Sequence, residues 1–241
     1  MWFQSGIRAR LLFVTFSLIA SFSVAQDNLL EKLMPLALEN NAEAQYHVGM
    51  IFNNGINVPQ NPKRAFEWFE KGANNGDALA AYKLGWYFDG QFKDVVPLNP
   101  ALAFGYKLSA AQAGYSLAQQ DVAVSFFKRK DLGNAIRWTK AAADQGEPSA
   151  LYNLSVIYKE GEGVPADKVL TYSYFKLAKL VSEGKVNPNA QATLDELKLA
   201  MSDDEINRAE QTVAQWKAKP TRLTLRAKAG LSRAQTLLKE M

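Results

Sequence analysis

An internal repeat is the feature that most constrains this sequence, because chains built from short similar units fold by stacking each unit on the next. Each unit opens on an alanine. An aliphatic, a small and an aromatic residue follow it at offsets of four, five and eight. The alanines are Ala44, Ala80, Ala118 and Ala150, and the aromatic residues are Phe52, Phe88, Phe126 and Tyr158. These offsets share one face of an α-helix, so the pattern predicts a helix in each unit, which we call helix A.

A second set of aromatic residues predicts a second helix in each unit, helix B. The set is Trp68, Tyr106, Trp138 and Tyr174. Seven residues before each member lies an Asn or Asp, residue types that favour the N-cap of a helix. Because two short helices cannot bury their apolar faces alone, neighbouring pairs must stack. We therefore predict an all-α fold, an α/α solenoid of four two-helix repeats wound as a right-handed superhelix.

The ends of the chain divide it into three expected segments: a signal peptide over 1–25, the repeat solenoid with an N-terminal capping helix over 26–182, and a C-terminal helical capping region over 183–241. Within the last segment, residues 202–205 have the pattern of a capping box. The stretch from Gly230 to Leu238 resembles helix A of a partial fifth unit.

The first 25 residues have the pattern of a secretory signal. Arg8 and Arg10 precede an apolar run from Leu11 to Ala20, and Ser23 and Ala25 are small residues at the positions required for cleavage before Gln26. The alternative is a retained membrane anchor, but the run is shorter than the roughly 20 residues that a spanning helix needs. We predict a periplasmic or secreted protein.

Composition excludes several chemistries. The 241 residues include no cysteine and one histidine. This rules out disulfide scaffolds, zinc–thiolate sites, cysteine nucleophiles and two-histidine metal sites. We expect no metal and no cofactor. His47 could act as a general base, but no nucleophile motif accompanies it, so we assign no catalytic residue and predict that the chain is not an enzyme.

The repeat resembles that of the Sel-1-like repeat (SLR) family, relatives of the tetratricopeptide (TPR) repeats. The first unit carries the resemblance through Ala44, Gly49, Gly55, Val58, Ala65, Trp68 and Gly76, and the fourth through Ala150, Leu154, Tyr158, Gly161, Gly163, Val164 and Asp167. The resemblance covers about residues 33–182. It implies a TPR-like α/α solenoid that acts as a scaffold, adaptor or regulator by binding protein partners.

A candidate groove follows from positions that vary within the otherwise fixed repeat. Helices A usually line the binding side of such solenoids, and offsets three and seven from the alanine differ between units. We predict that these residues bind a protein or peptide: His47, Ile51, Lys83, Tyr87, Asp121, Ser125, Asn153 and Ile157.

The C-terminal tail is basic, although the whole chain has a net charge of only +4. The candidate contact residues are Arg222, Arg226, Lys228 and Arg233. They could meet acidic lipid, nucleic acid or an acidic partner, or the tail could be a solvated terminal capping helix. Export argues against nucleic acid, which leaves peripheral membrane contact as the alternative to capping.

These observations favour an exported adaptor or regulator in the bacterial cell envelope. One alternative is a hydrolase acting on glycan or peptidoglycan, which should show a polar cluster outside the repeat pattern. A second alternative is a structural component of an envelope machine. The sequence does not specify the partner or the oligomeric state.

Overall fold

The computed structural model describes residues 28–182 and 190–240, so the predicted signal peptide lies outside the described residues. Within these ranges all regular structure is helical. The helices are α1 (Leu29–Leu38), α2 (Ala42–Asn54), α3 (Pro62–Asn74), α4 (Ala78–Trp86), α5 (Pro100–Gln112), α6 (Ser116–Lys128), α7 (Leu132–Asp144), α8 (Pro148–Glu160), α9 (Lys168–Val181), α10 (Ala190–Leu199), α11 (Asp203–Gln215), α12 (Arg222–Ala229) and α13 (Leu231–Leu237). None of the described helices is long and apolar enough to cross a bilayer.

The predicted N-caps of helices B are confirmed. The side chains of Asn61, Asn99, Asp131 and Asp167 each accept a hydrogen bond from the backbone N–H three residues later, at 2.9–3.1 Å. Each bond satisfies a backbone donor that has no partner inside the helix. Pro62 and Pro100 occupy the first helical position, where a missing N–H costs nothing.

Helices pair in sequence order, which confirms the α/α solenoid. Helices A are α2, α4, α6 and α8, helices B are α3, α5, α7 and α9, and each helix packs against the next along the chain. Small residues at offset five from the repeat alanine allow this close approach. A Cβ on Gly49 would lie 2.6 Å from the Phe69 ring of α3. Most of the buried apolar residues of α1 to α6 form one cluster, and most of those of α7 to α9 form a second cluster.

The turns from helix B to helix A are tight and similar. Gly76, Gly114 and Gly146 adopt φ values of +90°, +94° and +80°, a backbone conformation that favours glycine. Helix A begins two residues after the glycine in each case. The turns therefore place the first residues of successive helices A along one edge of the solenoid, which we call the turn edge.

The C-terminal region first extends the stack and then reverses along it. Helices α10 and α11 pack on α9, and Tyr172 and Lys176 of α9 bind Glu210 of α11. From Trp216 to Leu238 the chain returns towards the N-terminus. Helix α13 packs against α1 and α2. The expectation that this stretch forms helix A of a fifth unit is therefore wrong, because it packs on the first repeat instead of stacking beyond the fourth.

Candidate interaction surface

The outward face of helices A carries an apolar stripe at offset six from the repeat alanine. Its members are Met50, Trp86, Val124 and Val156. Trp86, Val124 and Val156 are each 39% exposed, whereas the aliphatic residues at offset four are buried. Helices α4, α6 and α8 thus present an exposed apolar side chain here, whereas Met50 of α2 is partly buried against the core. We call the surface formed by these four residues the A-helix stripe.

Helical geometry explains why the stripe lies at offset six. At about 100° per residue, offset seven falls roughly 20° from the buried alanine at offset zero, whereas offset six falls roughly 120° away from it. Offsets four, five and eight are core positions, so offset six lies nearly opposite their centre. The sequence contained this signal, because the core offsets alone define the opposite face.

The stripe ends in a cleft between α6, α7 and α8. The cleft has a volume of about 480 Å³, and its walls include Val124, Phe127, Tyr152 and Val156. Lys128 and Glu162 also line it. Clefts of this size, mostly apolar with a few charged groups, are typical of binding sites.

The expectation of an open groove is wrong for four of the eight predicted residues. His47, Ile51, Tyr87 and Ile157 are only 1–3% exposed. The His47 ring packs on Tyr46, and its Nε2 atom lies 3.6 Å from Glu43 Oε1. The Tyr87 hydroxyl donates to Asn53 Oδ1 at 2.9 Å or to the Pro62 carbonyl at 3.1 Å. Offset seven turns Ile51, Tyr87 and Ile157 towards the core, whereas His47 is at offset three and is buried beside Tyr46.

The other predicted residues lie nearer the surface. Asn153 lines the cleft together with the buried Ile157. Lys83 places its Nζ 5.2 Å from the centre of the Trp86 ring. Ser125 is half-buried and donates to the Asp121 carbonyl at 2.9 Å. Binding by these residues stays a prediction.

A polar cluster of which sequence analysis predicted only Asp121 lies beside Trp86. Lys107 of α5 occupies the position at which the other helices B have Phe69, Thr139 and Phe175, all of them buried. A Cβ on Gly85 would lie 2.7 Å from Lys107 Cγ, so the lysine stem passes over that glycine. A lysine in a core position of the repeat was the signal that could have revealed this cluster.

The Lys107 ammonium emerges between two carboxylates. It forms ion pairs with Asp89 and with Asp121 Oδ2, the latter at 2.9 Å, and the Tyr82 hydroxyl also donates to Asp121 Oδ2 at 3.3 Å. Burial alone would lower the pKa of Lys107, but the two carboxylates outweigh it and raise the pKa above its ordinary value. The ammonium therefore stays charged. We call Asp89, Lys107 and Asp121 the Lys107 cluster.

An irregular turn forms the outer wall of the cluster. Helix α4 ends at Trp86, and the chain continues as a π-helical turn over Tyr87–Gln91, with Gly90 at a φ of +92°. Single π-helical turns are frequent at functional sites. A cavity of about 260 Å³ opens here between Trp86, Asp89, Gln91, Lys107 and Asp121.

The returning C-terminal segment, residues 216–238, binds along the turn edge, and we call it the strap. The Thr221 hydroxyl donates to the Gly114 carbonyl at 2.8 Å. The Thr224 hydroxyl accepts a hydrogen bond from the Ser116 N–H at 3.1 Å. The same hydroxyl can donate to Gln145 Oε1, which lies 2.6 Å away. The strap thereby joins the turns that precede the third and fourth repeats.

Two of the predicted tail residues bind the first two repeats instead of projecting into solvent. Arg226 Nη2 lies 2.6 Å from Asp77 Oδ2, and Arg233 forms two bonds with the Glu43 carboxylate at 2.8 and 3.1 Å. Arg222 and Lys228 are exposed. Arg226 and Arg233 are therefore paired within the protein, and a binding role of Arg222 and Lys228 stays a prediction. Contact of this tail with a membrane stays a prediction.

These features define an α/α solenoid of two-helix repeats with an apolar stripe on its helices A. A family model for the Sel1 repeat matches residues 42–77, 78–115, 126–147 and 148–180, which together make up more than half of the chain. The chain belongs to the Sel1 repeat family, whose members generally mediate protein–protein interactions.

Known proteins agree with this assignment. A putative sel1-like repeat-containing protein of Acanthamoeba polyphaga mimivirus is 30% identical over 144 residues, which are 57% of this chain and 26% of that protein. The chain thus spans about a quarter of the length of that relative.

Two solved structures share the fold. A Sel1 repeat protein from Oxalobacter formigenes superposes with a TM-score of 0.60 at 22% identity, covering 78% of this chain and 79% of that chain. A protective antigen of uropathogenic Escherichia coli with an SLR fold superposes with a TM-score of 0.51 at 20% identity, covering 87% of this chain and 50% of that chain.

Proposed function

We propose that this protein is an exported adaptor or regulator of the bacterial cell envelope, and that its A-helix stripe binds a segment of a partner protein. The observation that carries the proposal is the exposure of Trp86, Val124 and Val156 at one repeat position, next to the 480 Å³ cleft. Export rests on the signal-peptide pattern of residues 1–25.

The occupant we propose is an extended or helical segment with an aliphatic side chain. Such a side chain would enter the cleft between Val124 and Val156 and replace water there with apolar contacts. Lys128 and Glu162 would then orient the polar groups of the segment. Because stacked repeats preorganise the stripe, little conformational entropy is lost when the segment binds.

The experiment is photo-crosslinking in the native host, with the probe residue at position 156 on the stripe. The matched control carries the probe at Glu67, an exposed residue of α3. We expect a discrete adduct at position 156 and none at position 67. The substitution Val124→Asp, made in the position-156 probe variant, should abolish the adduct because it buries a charge in the contact.

Circular dichroism of Val124→Asp would show that the fold is intact, since Val124 is partly exposed. Equal adducts at positions 67 and 156, or an adduct at position 67 alone, would contradict the stripe as the binding surface. Intact-mass analysis of the protein from the periplasm or medium tests export separately, and the expected N-terminus is Gln26.

A further inference from the structure

We infer that the cavity beside Trp86 binds the guanidinium group of an arginine side chain contributed by the partner. The inference rests on the proposed function, because it specifies the chemistry of the segment that lies on the A-helix stripe. The juxtaposition that carries it is an exposed indole next to two carboxylates that share a single ammonium.

The solvent-exposed charges at this site belong mainly to the two aspartates. The side chains of Asp89 and Asp121 are 45% and 33% exposed, whereas that of Lys107 is 13% exposed. In the described part of the chain, both aspartates use Oδ2 for their bonds, and no protein group donates to either Oδ1. Both carboxylates line the cavity together with the ammonium that they share, and a planar guanidinium could donate to their remaining acceptor atoms.

The indole supplies the second element of the site. Trp86 is 39% exposed and lines the same cavity as Asp89 and Asp121. Its ring already attracts a cation, since Lys83 Nζ lies 5.2 Å from the ring centre. Arginine stacks on aromatic rings and is more weakly hydrated than lysine, so it is the better ligand for this combination of groups.

The residue type at position 107 also indicates a function for the cluster. The first and fourth repeats fill the Lys107 position with the buried Phe69 and Phe175, and the third fills it with the buried Thr139. A partly buried ion-pair cluster rarely stabilises a fold more than an apolar side chain of similar size would. Packing alone requires neither a lysine at this position nor a π-helical turn that brings Asp89 to it. Both features provide charged groups for binding.

The test titrates the ¹⁵N-labelled protein with N-acetyl-arginine amide, and with N-acetyl-citrulline amide as the neutral isostere. We expect saturable shifts of the Trp86 indole N–H and of the Asp89 and Gln91 amides, with a dissociation constant on the order of millimolar. Citrulline amide should bind at least about tenfold more weakly, since it lacks the charge.

Two variants locate the site. Trp86→Leu should abolish the shifts of the Asp89 and Gln91 amides without disturbing the Lys107 ion pairs, and Asp89→Asn should weaken binding about tenfold. Glu67→Gln, which removes an exposed carboxylate on α3, should leave binding unchanged.

Equal binding of citrulline amide, or arginine shifts that survive Trp86→Leu, would overturn the inference. Shifts of the Trp86 indole with N-acetylglucosamine but not with arginine amide would also overturn it, because they would assign the cavity to a glycan. The proposed function has a separate readout. A position-156 adduct that persists while arginine amide does not bind would refute the arginine site and leave the stripe intact.

Discussion

Arg226 and Asp77 form an ion pair at 2.6 Å although 149 residues separate them in sequence. The Asp77 side chain is 1% exposed, and its Oδ1 also accepts the Ala80 N–H as the N-cap of α4. The strap thus supplies the counter-charge for a carboxylate buried at the turn edge.

Removal of this counter-charge should destabilise the fold. Arg226→Met should lower the free energy of unfolding by about 3 kcal/mol, because it leaves the buried Asp77 unpaired. The matched control is Arg222→Met, a substitution on the exposed side of the same helix. It should change the free energy of unfolding by less than about 0.5 kcal/mol. Urea unfolding followed by circular dichroism measures both. Equal effects of the two substitutions would show that the ion pair does not hold the strap.

Acid should weaken the strap through Glu43. Burial opposes the shift, but the nearby His47 ring, the bonds from Arg233 and the charge of Arg226 lower the pKa of Glu43 from its ordinary 4.5 to about 2. A carboxyl whose pKa is lower in the folded state contributes stability above its unfolded pKa and loses it as the pH falls. The Glu43 contribution should therefore be complete above about pH 4.5 and disappear towards pH 2.

The measurement for Glu43 is the free energy of unfolding of the wild type and of Glu43→Gln at a series of pH values. The difference between them should be about 1–3 kcal/mol at pH 6 and shrink towards zero near pH 2. Asp77 acts in the opposite direction, because burial raises its pKa in spite of Arg226. Both proteins contain Asp77, so its contribution cancels except for the part of its raised pKa that the Glu43 charge causes. A difference that is constant with pH would contradict the role of Glu43.

Local periodicity predicted most of the repeat, because its signals lie within one helix or one turn. The caps at Asn61 and Asp167 and the packing of Gly49 against the next helix follow from residues close in sequence. The strap could not be predicted in this way. The position of Arg226 depends on a chain reversal after α11, and the acidic partners Asp77 and Glu43 have no sequence relationship to it.

The candidate site was predicted on the correct helices but partly on the wrong face. Ile51 and Tyr87 were chosen for their variability, and variability does not distinguish a core position from a surface position. Of the Lys107 cluster, Asp121 was predicted as a groove residue. Asp89 and Lys107 were missed because the three charged residues come from different segments and meet only when repeats two and three stack.

Close packing between helices A and B predicts a sharp difference between two glycines. Gly49→Ala should lower the free energy of unfolding by about 1–3 kcal/mol, since the new Cβ would lie 2.6 Å from the Phe69 ring. Gly105→Ala on α5 is the control, because a Cβ there meets nothing within 4 Å. It should stabilise the protein by about 0.5–1 kcal/mol through helix propensity. Thermal unfolding would distinguish the two, and a stabilising Gly49→Ala would refute the packing argument.

If the Lys107 cluster exists for binding, its removal should cost the fold little. Lys107→Met keeps an apolar stem over Gly85 and leaves Asp89 and Asp121 exposed enough to be hydrated. We expect the free energy of unfolding to change by less than about 1 kcal/mol. Phe69→Ala removes the side chain at the equivalent position of the first repeat and should cost about 3–5 kcal/mol, because it opens a cavity in the core. Urea unfolding compares the two. If Lys107→Met lowered the free energy of unfolding as much as Phe69→Ala does, the cluster would be a structural element. The lysine would then be explained by its role in holding the repeats together, and no ligand would be needed.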